Sequence, residues 1–228
     1  MLGVDAALKL PRSFYDRPTL DVARDLLGLV LVHNTRGVRT SGVIVEVEAY
    51  IGESDPACHA APGPTRRNEP LYGVPGHAYV YLNYGIHCLV NVVTEAHGSP
   101  AAVLIRALDP LDGIEVMRRR RAAAMKGRKA QPDPTTLPPH QICRGPGNLT
   151  MAMGITLADN RLDLLGDRLY VEERGIRVGA IAWGSRIGIR VGTERPWRAW
   201  VEGHPAVSAR QNARSRRTRK RTDVTEPG

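Results

Sequence analysis

Lysine is almost missing from this chain. Of its 32 basic residues only Lys9, Lys126, Lys129 and Lys220 are lysines, so the stretch between Lys9 and Lys126 holds no amine side chain. Schiff-base chemistry is therefore excluded within that stretch, and attack on a sugar carbon there falls to water. Cysteine is sparse as well. Cys58, Cys88 and Cys143 form an odd set without framework spacing, which argues against a disulfide scaffold and for a reducing compartment. No segment approaches the roughly twenty apolar residues that a membrane span requires. The first ten residues carry an early acid and no basic stretch leading into a long apolar one. A soluble, unexported, cytoplasmic protein without a membrane partner is expected, nucleoid-associated if the source is bacterial. Phenylalanine occurs once against seven tyrosines, an odd balance for a core that only needs to be dry.

What is present is arginine, and a net charge of +9. The planar guanidinium suits phosphates and base edges better than a point charge does, so a polyanion, with nucleic acid ahead of membrane, is the expected partner. High arginine also follows from genomic base composition, and this signal alone does not decide. The length supports one core-forming domain over residues 1–208, followed by a basic tail over 209–228. In that tail Arg210 to Arg221 lacks apolar periodicity, and disorder is expected. The spacing predicts a helix over Thr19–Leu27 with a Thr or Asp cap and Gly28 at its end, and another over Gly113–Met125. Strands are predicted at Leu29–His33, Val43–Tyr50, Ala78–Leu82, Leu89–Val93, Ala102–Ala107, Leu169–Glu173, Ile187–Val191 and Trp197–Val201. Tyr50–Tyr72 reads as a long loop, and Lys126–Gln141 as an exposed, basic, Pro-rich insertion. Arg144-Gly-Pro-Gly147-Asn148 reads as a turn opening into a helix.

The strand Val43–Tyr50 carries the strongest chemical signal. Its alternation places Glu46, Glu48 and Tyr50 on one face and Val45, Val47 and Ala49 on the other. Two carboxylates beside an aromatic ring on a hydrophobic strand suit a site where an acid activates water next to a flat substrate, with Glu48 the candidate general base. The plainer alternative is that both acids pair with surface arginines. Tyr50, His59 and Tyr81 can form a pocket that stacks an extruded base. Stacking worth about 1 to 3 kcal/mol per base offsets much of the cost of extrusion; the alternative is core tyrosines with satisfied hydroxyls. Tyr84 falls out of phase with Tyr79 and Tyr81 and precedes Gly85, so a turn can present it as a wedge into a duplex. Arg66, Arg67 and Arg106 are candidate phosphate contacts, or solvated surface arginines. Gly145 and Gly147 ahead of a helix can turn backbone N–H groups toward a phosphate, or form a simple capped turn. They lack any nucleotide-cofactor spacing. Cys58-His59 and His87-Cys88 match no zinc-site spacing, and no metal is expected.

Together, Glu46-Val-Glu48-Ala-Tyr50, His59, Tyr79-Val-Tyr81-Leu-Asn-Tyr84-Gly85, Asn91, Val103-Leu-Ile-Arg106-Ala-Leu-Asp-Pro110 and Gly145-Pro-Gly-Asn-Leu149 resemble the alkyladenine (3-methyladenine) DNA glycosylase family. The resemblance spans about Pro11 to Val207 with the motifs in the same order. It implies an α+β fold, a single mixed domain built on a curved antiparallel sheet surrounded by helices, with no metal or cofactor. It implies that Glu48 activates the water that cleaves the N-glycosidic bond. Tyr50, His59 and Tyr81 would line the damaged-base pocket with Asn91 at its edge, Tyr84 would intercalate, and Arg106 would help hold the water or nearby backbone. The function implied is a monofunctional glycosylase acting as a monomer on double-stranded DNA containing damaged purines such as 3-methyladenine, hypoxanthine or ethenoadenine. The family gives no role to the insertion or the tail. Two rivals remain from the residues themselves: a nucleic-acid-binding module using the tyrosines only for stacking, and a small-molecule nucleoside hydrolase.

Overall fold

A computed structural model describes residues 8–124 and 136–208. The tail over 209–228 and residues 126–135 of the insertion lie outside them.

The backbone of the fold is a hairpin with an unusually long second arm. Strand β2 (Val30–Thr35) turns through Arg36 and Gly37 into β3 (Val38–Ile51). Both loop residues have positive φ, 51° and 74°, the two-residue turn whose twist matches that of the flanking strands. The hairpin therefore starts five residues earlier in β3 than the apolar pattern predicts, because its first residues face solvent in part. From Thr40 to Ala49 β3 is buried on both faces. It pairs with β2 along its first part, with β6 (Ala101–Pro110) from Gly42 to Ile51, and with β9 (Arg198–Val201) over Glu46 to Glu48. Strand β7 (Leu169–Glu173) continues the sheet beyond β2, and the short β1 (Leu8–Lys9), absent from the sequence-based expectation, closes that edge. On the other side β6 pairs with β5 (His87–Val93), and β5 with β4 (Ala78–Asn83). All these pairings are antiparallel, so the curved antiparallel α+β sheet is as the sequence implied.

Short helices cover the sheet. In α2 (Thr19–Asp25) the residues Thr19, Val22 and Ala23 are buried, and Gly28, at φ 94°, carries the chain out of the segment that follows. The cap is a correction: Pro18 occupies the N-cap position, and Thr19 instead bonds Thr94 at 2.9 Å. Helix α1 (Arg12–Tyr15) precedes it, while α3 (Ile114–Ala124), α4 (Pro139–Ile142) and α5 (Pro146–Met153) pack together on the β5–β6 side. Thus Pro139–Gln141, expected to belong to an exposed insertion, is helical. The strand predicted at Ile187–Val191 is also corrected. Its alternation is genuine, but Gly188 and Gly192 take φ of 79° and 64°, which an extended ladder cannot accommodate. The strand lies earlier, in β8 (Ile181–Gly184), paired with β9. The loop from Tyr50 to Tyr72 is as expected, apart from Tyr50 and Ile51, which close β3, and a 3-10 turn at Glu69–Tyr72.

Most buried apolar residues join one core that includes Val45, Val47 and Ala49. A second, smaller cluster of Cys58, Ala60, Leu71, Tyr79, Val93 and Ala102 lies beneath the long loop, with Tyr50, Tyr72 and Tyr81 packed on it. The β3–β6 contact is tight at Gly42, where a Cβ would fall 2.9 Å from the Asp109 carbonyl oxygen and from the Leu108 Cβ. Gly42→Ala should therefore force the two central strands apart and cost about 1 to 3 kcal/mol, a fall in Tm of roughly 3 to 10 °C for a domain of this size. An unchanged Tm in a thermal melt would show that the strands separate freely at that point.

Candidate active site

Strand β3 carries two buried acids whose surroundings differ. A register shift around Glu46 bends β3 against β6, the usual effect of a bulge, and both carboxylates reach Arg106 on β6. Glu46 is saturated: Arg198 Nε donates to Oε1 at 2.7 Å, Arg106 Nε lies at 3.3 Å, and the Ser208 N–H and hydroxyl both donate to it. Glu48 has no exposed surface either. The Tyr50 hydroxyl donates to its Oε2 at 2.8 Å, the Ile187 backbone N–H donates to Oε1 at 2.6 Å, and Arg106 Nη1 lies 3.1 Å from Oε2. An ionised carboxylate has about four acceptor positions; Glu46 has four donors on it and Glu48 three. Burial and the neighbouring Glu48 hold the Tyr50 hydroxyl well above its usual titration range, so it remains a donor. Burial opposes the charge on Arg106, but Glu48 and Glu46 outweigh it and stabilise the guanidinium. These acids do not meet surface arginines, and Arg106 at 6 % exposure is no phosphate clamp.

The three residues that hold Glu48 line a cavity of about 500 Å³, together with His59, Tyr79, Tyr81 and Asn91 among others, within the size range of small-molecule sites. The His59 ring stands edge to face against both Tyr79 and Tyr81. His59 and Tyr81 centroids are 4.4 Å apart at 69°, and Tyr79 lies 5.3 Å from Tyr81. His59 Nδ1 shares a 2.9 Å hydrogen bond with the Tyr79 hydroxyl, which burial pushes up to about 12. Burial, helped by Arg67, lowers His59 to about 4. The ring is neutral at physiological pH. Asn91, opposite Tyr79 in the β4–β5 ladder, donates from its side-chain amide to the Tyr79 carbonyl oxygen at 3.0 Å. The four expected pocket residues therefore share one cavity.

Tyr84 sits at the tip of the β4–β5 hairpin beside that cavity, 87 % exposed with φ 49°. Leu82 and Ile86 are exposed on either side of it, giving the tip an apolar character that water alone would not favour. Arg66 and Arg67 are exposed on the long loop. Arg67 stands 5.6 Å over the Tyr81 ring, at the rim. Gly145 is the N-cap of α5 with open space where a side chain would be, and Pro146 lines the cavity. Gly147 has a packing reason: a Cβ there would lie 2.8 Å from the His87 ring. Cys58 is buried in the small cluster, and no group of three His, Cys, Asp or Glu side chains among the described residues is arranged to hold a metal ion.

Two contributors escaped the sequence reading. Tyr79 was legible as part of the aromatic strand, but its bond to His59 joins residues twenty apart in the chain. Ile187 acts through its backbone, which no side-chain pattern reports.

Acid should reveal the half-buried imidazole. Because the folded-state value of His59 lies near 4 against 6.5 in the free residue, the unfolded chain takes up a proton that the folded chain declines. Stability present above pH 6.5 should drain away toward pH 4, by at most about 1.4 kcal/mol per pH unit from this one group. Urea unfolding at pH 7 and pH 5 should show a smaller acid loss in His59→Phe than in the parent; equal losses would contradict a neutral, half-buried His59.

The chain matches the family model described as methylpurine-DNA glycosylase over residues 13–205. A relative from Methanocella arvoryzae, provisionally named a 3-methyladenine DNA glycosylase, is 49 % identical over 205 residues, covering 88 % of this chain and 96 % of the relative. Relatives with the same provisional name from Clostridium acetobutylicum and Alkaliphilus oremlandii are 45 % and 43 % identical, each over 88 % of this chain, covering 98 % and 99 % of their own lengths. With the match extending over so much of its length, this chain belongs to the methylpurine-DNA glycosylase family.

Proposed function

We propose that the protein is a monofunctional DNA glycosylase of base-excision repair. It extrudes an alkylated or deaminated purine from a duplex and hydrolyses its N-glycosidic bond with water. The observation that carries this reading is a buried carboxylate, Glu48, held by Arg106, the Tyr50 hydroxyl and the Ile187 amide, three residues that themselves line an aromatic cavity. Three donors fix the carboxylate and leave acceptor capacity for a water. Glu48 takes the proton as the water oxygen bonds to C1′ and the C1′–N bond breaks, with its electron pair leaving on the base. A purine that alkylation has made cationic leaves as a neutral molecule and needs no further acid. The products are the free base and an abasic site, with the strand uncut.

Tyr50, His59 and Tyr81 bound the base, and Asn91 lies at its edge. The neutral His59 suits hydrogen bonding to a neutral base edge. Tyr84 fills the gap that the base leaves in the duplex, with Leu82 and Ile86 extending the apolar wedge. Arg66, Arg67 and the turn at Gly145 and Gly147 lie where phosphates would pass, and the arginine-rich charge supplies a salt-dependent grip on DNA. 3-Methyladenine, hypoxanthine and ethenoadenine are the lesions proposed, on double-stranded DNA, by a monomer in the cytoplasm or on the nucleoid. No helix among the described residues is long and apolar enough to cross a membrane.

Duplexes carrying each lesion, incubated with the protein and resolved before and after alkali, test the reaction. Breakage that needs alkali is the expected result, and Glu48→Gln should lower its rate by on the order of a hundred to ten thousandfold while still binding the duplex. Turnover by Glu48→Gln at the parent rate would remove Glu48 as the base. Tight binding without alkali-labile product in the parent would favour the recognition module. Tyr84→Ala should slow excision from a duplex far more than from the same lesion in a single strand, since only the duplex needs the wedge.

A further inference from the structure

A second buried ion pair stands directly behind the proposed site. Arg186 and Asp55 side chains are both wholly buried, and the guanidinium engages the carboxylate through two bonds, Nη1 to Oδ2 at 2.5 Å and Nη2 to Oδ1 at 2.8 Å. Nη1 also donates to the Ala49 carbonyl oxygen at 3.0 Å, and Nη2 to that of Gly192 at 3.3 Å. The guanidinium carbon lies over two rings, 4.7 Å from the Tyr50 centroid and 5.2 Å from that of Trp197. One side chain thereby joins three pieces of chain. They are the end of β3 that bears Glu48 and Tyr50, the start of the loop that bears His59, and the loop after β8 that bears Ile187. Gly192 is part of the fit, since a Cβ there would come within 3.0 Å of Arg186 Nη2.

A buried pair is costly to keep unless its geometry is excellent, and an isolated staple between a strand and two loops could be built from apolar residues at less cost. What apolar residues cannot supply is the placement of one particular amide. Arg186 is the residue before Ile187, whose N–H donates to Glu48 Oε1 at 2.6 Å and whose side chain lines the cavity. We infer that Arg186, locked by Asp55, is a positioning residue: it fixes the Ile187 amide on Glu48 and the Tyr50 ring at the base pocket, without itself touching substrate. The inference rests on the glycosylase reading above. It also explains why Arg186 takes both planar stacking and a bidentate partner, a combination that lysine lacks.

Arg186→Lys keeps the charge and loses the fork and the plane, while Asp55→Asn keeps the shape and loses the charge. The measurement is the single-turnover excision rate on whichever of the three lesion duplexes the parent cleaves fastest, followed from pH 5 to pH 9. It is set beside the affinity for a duplex carrying a tetrahydrofuran abasic analogue. A carboxylate that loses an N–H donor becomes easier to protonate. The groups facing Glu48 are Arg106 from β6, Tyr50 from β3, Tyr81 from β4, and Arg186 with the Ile187 amide from the loop after β8; Glu46 and Arg198 lie one step further off. Arg106, Tyr50 and Tyr81 are kept in both variants. Arg186→Lys should lower the rate at least tenfold, leave affinity for the analogue within about threefold, and move the acid limb of the pH–rate profile upward. Asp55→Asn should do the same to a lesser degree. A parent-like rate and acid limb in either folded variant would overturn the inference. So would a rate lowered equally at every pH, or loss of the folded state in both variants, either of which makes the pair a structural staple. A parent protein that excises none of the lesions would bring down the glycosylase reading itself, and the inference with it.

Discussion

Everything around the candidate site depends on burying two carboxylates on one strand. Glu46 and Glu48 are withdrawn from water in the middle of β3, and each would be intolerable there alone, since removing one partner of a buried pair typically costs about 3 to 5 kcal/mol. The fold answers with Arg106 from β6 and Arg198 from β9, two cations for two anions, with Arg106 reaching both acids. Because the arginines sit on the two strands that flank this part of β3, the charges can be matched only when the sheet is assembled. Charge neutrality and sheet pairing are therefore one constraint.

That constraint explains the branching of the sheet. Near Glu46 the ladder shifts register against β6, and β9 pairs with β3 over the three residues from Glu46 to Glu48. Glu46, with every neighbour donating to it, ties down Arg106 and the end of the described chain at Ser208. Glu48 has fewer donors, and all of them come from residues that line the cavity. Two identical side chains two residues apart thus differ in what surrounds them, not in their chemistry.

The aromatic side of the site has the same logic with weaker forces. A neutral His59, a tyrosine bonded to its ring nitrogen and a second tyrosine edge-on to it form a wall with little rotational freedom. A flat ligand would lose its own freedom on such a wall without requiring the wall to lose much. The hairpin tip beside it is built to opposite rules: left-handed backbone at Tyr84 and Gly85, and three apolar side chains in water.

Much of this was legible in the chain. The period of two in Val43–Tyr50, the out-of-phase Tyr84 before Gly85, and the excess of tyrosine over phenylalanine identify the acid strand, the hairpin tip and the ring-lined pocket, because local periodicity reports which way a side chain points. Most strand positions followed from the apolar alternation, but it failed at Ile187–Val191, where Gly188 within the stretch and Gly192 just beyond it turn the backbone out of the extended region. What the sequence by itself determined is therefore the inventory and its local directions: which strand carries the acids, which turn carries Tyr84, and which residue types can stack. Only the tertiary structure decided that Glu46 is saturated while Glu48 is not, that Tyr79 holds His59, and that a backbone amide at Ile187 reaches the carboxylate. These are contacts between residues from 20 to 162 positions apart in the chain, and burial, which sets their strength, is a property of the assembled sheet.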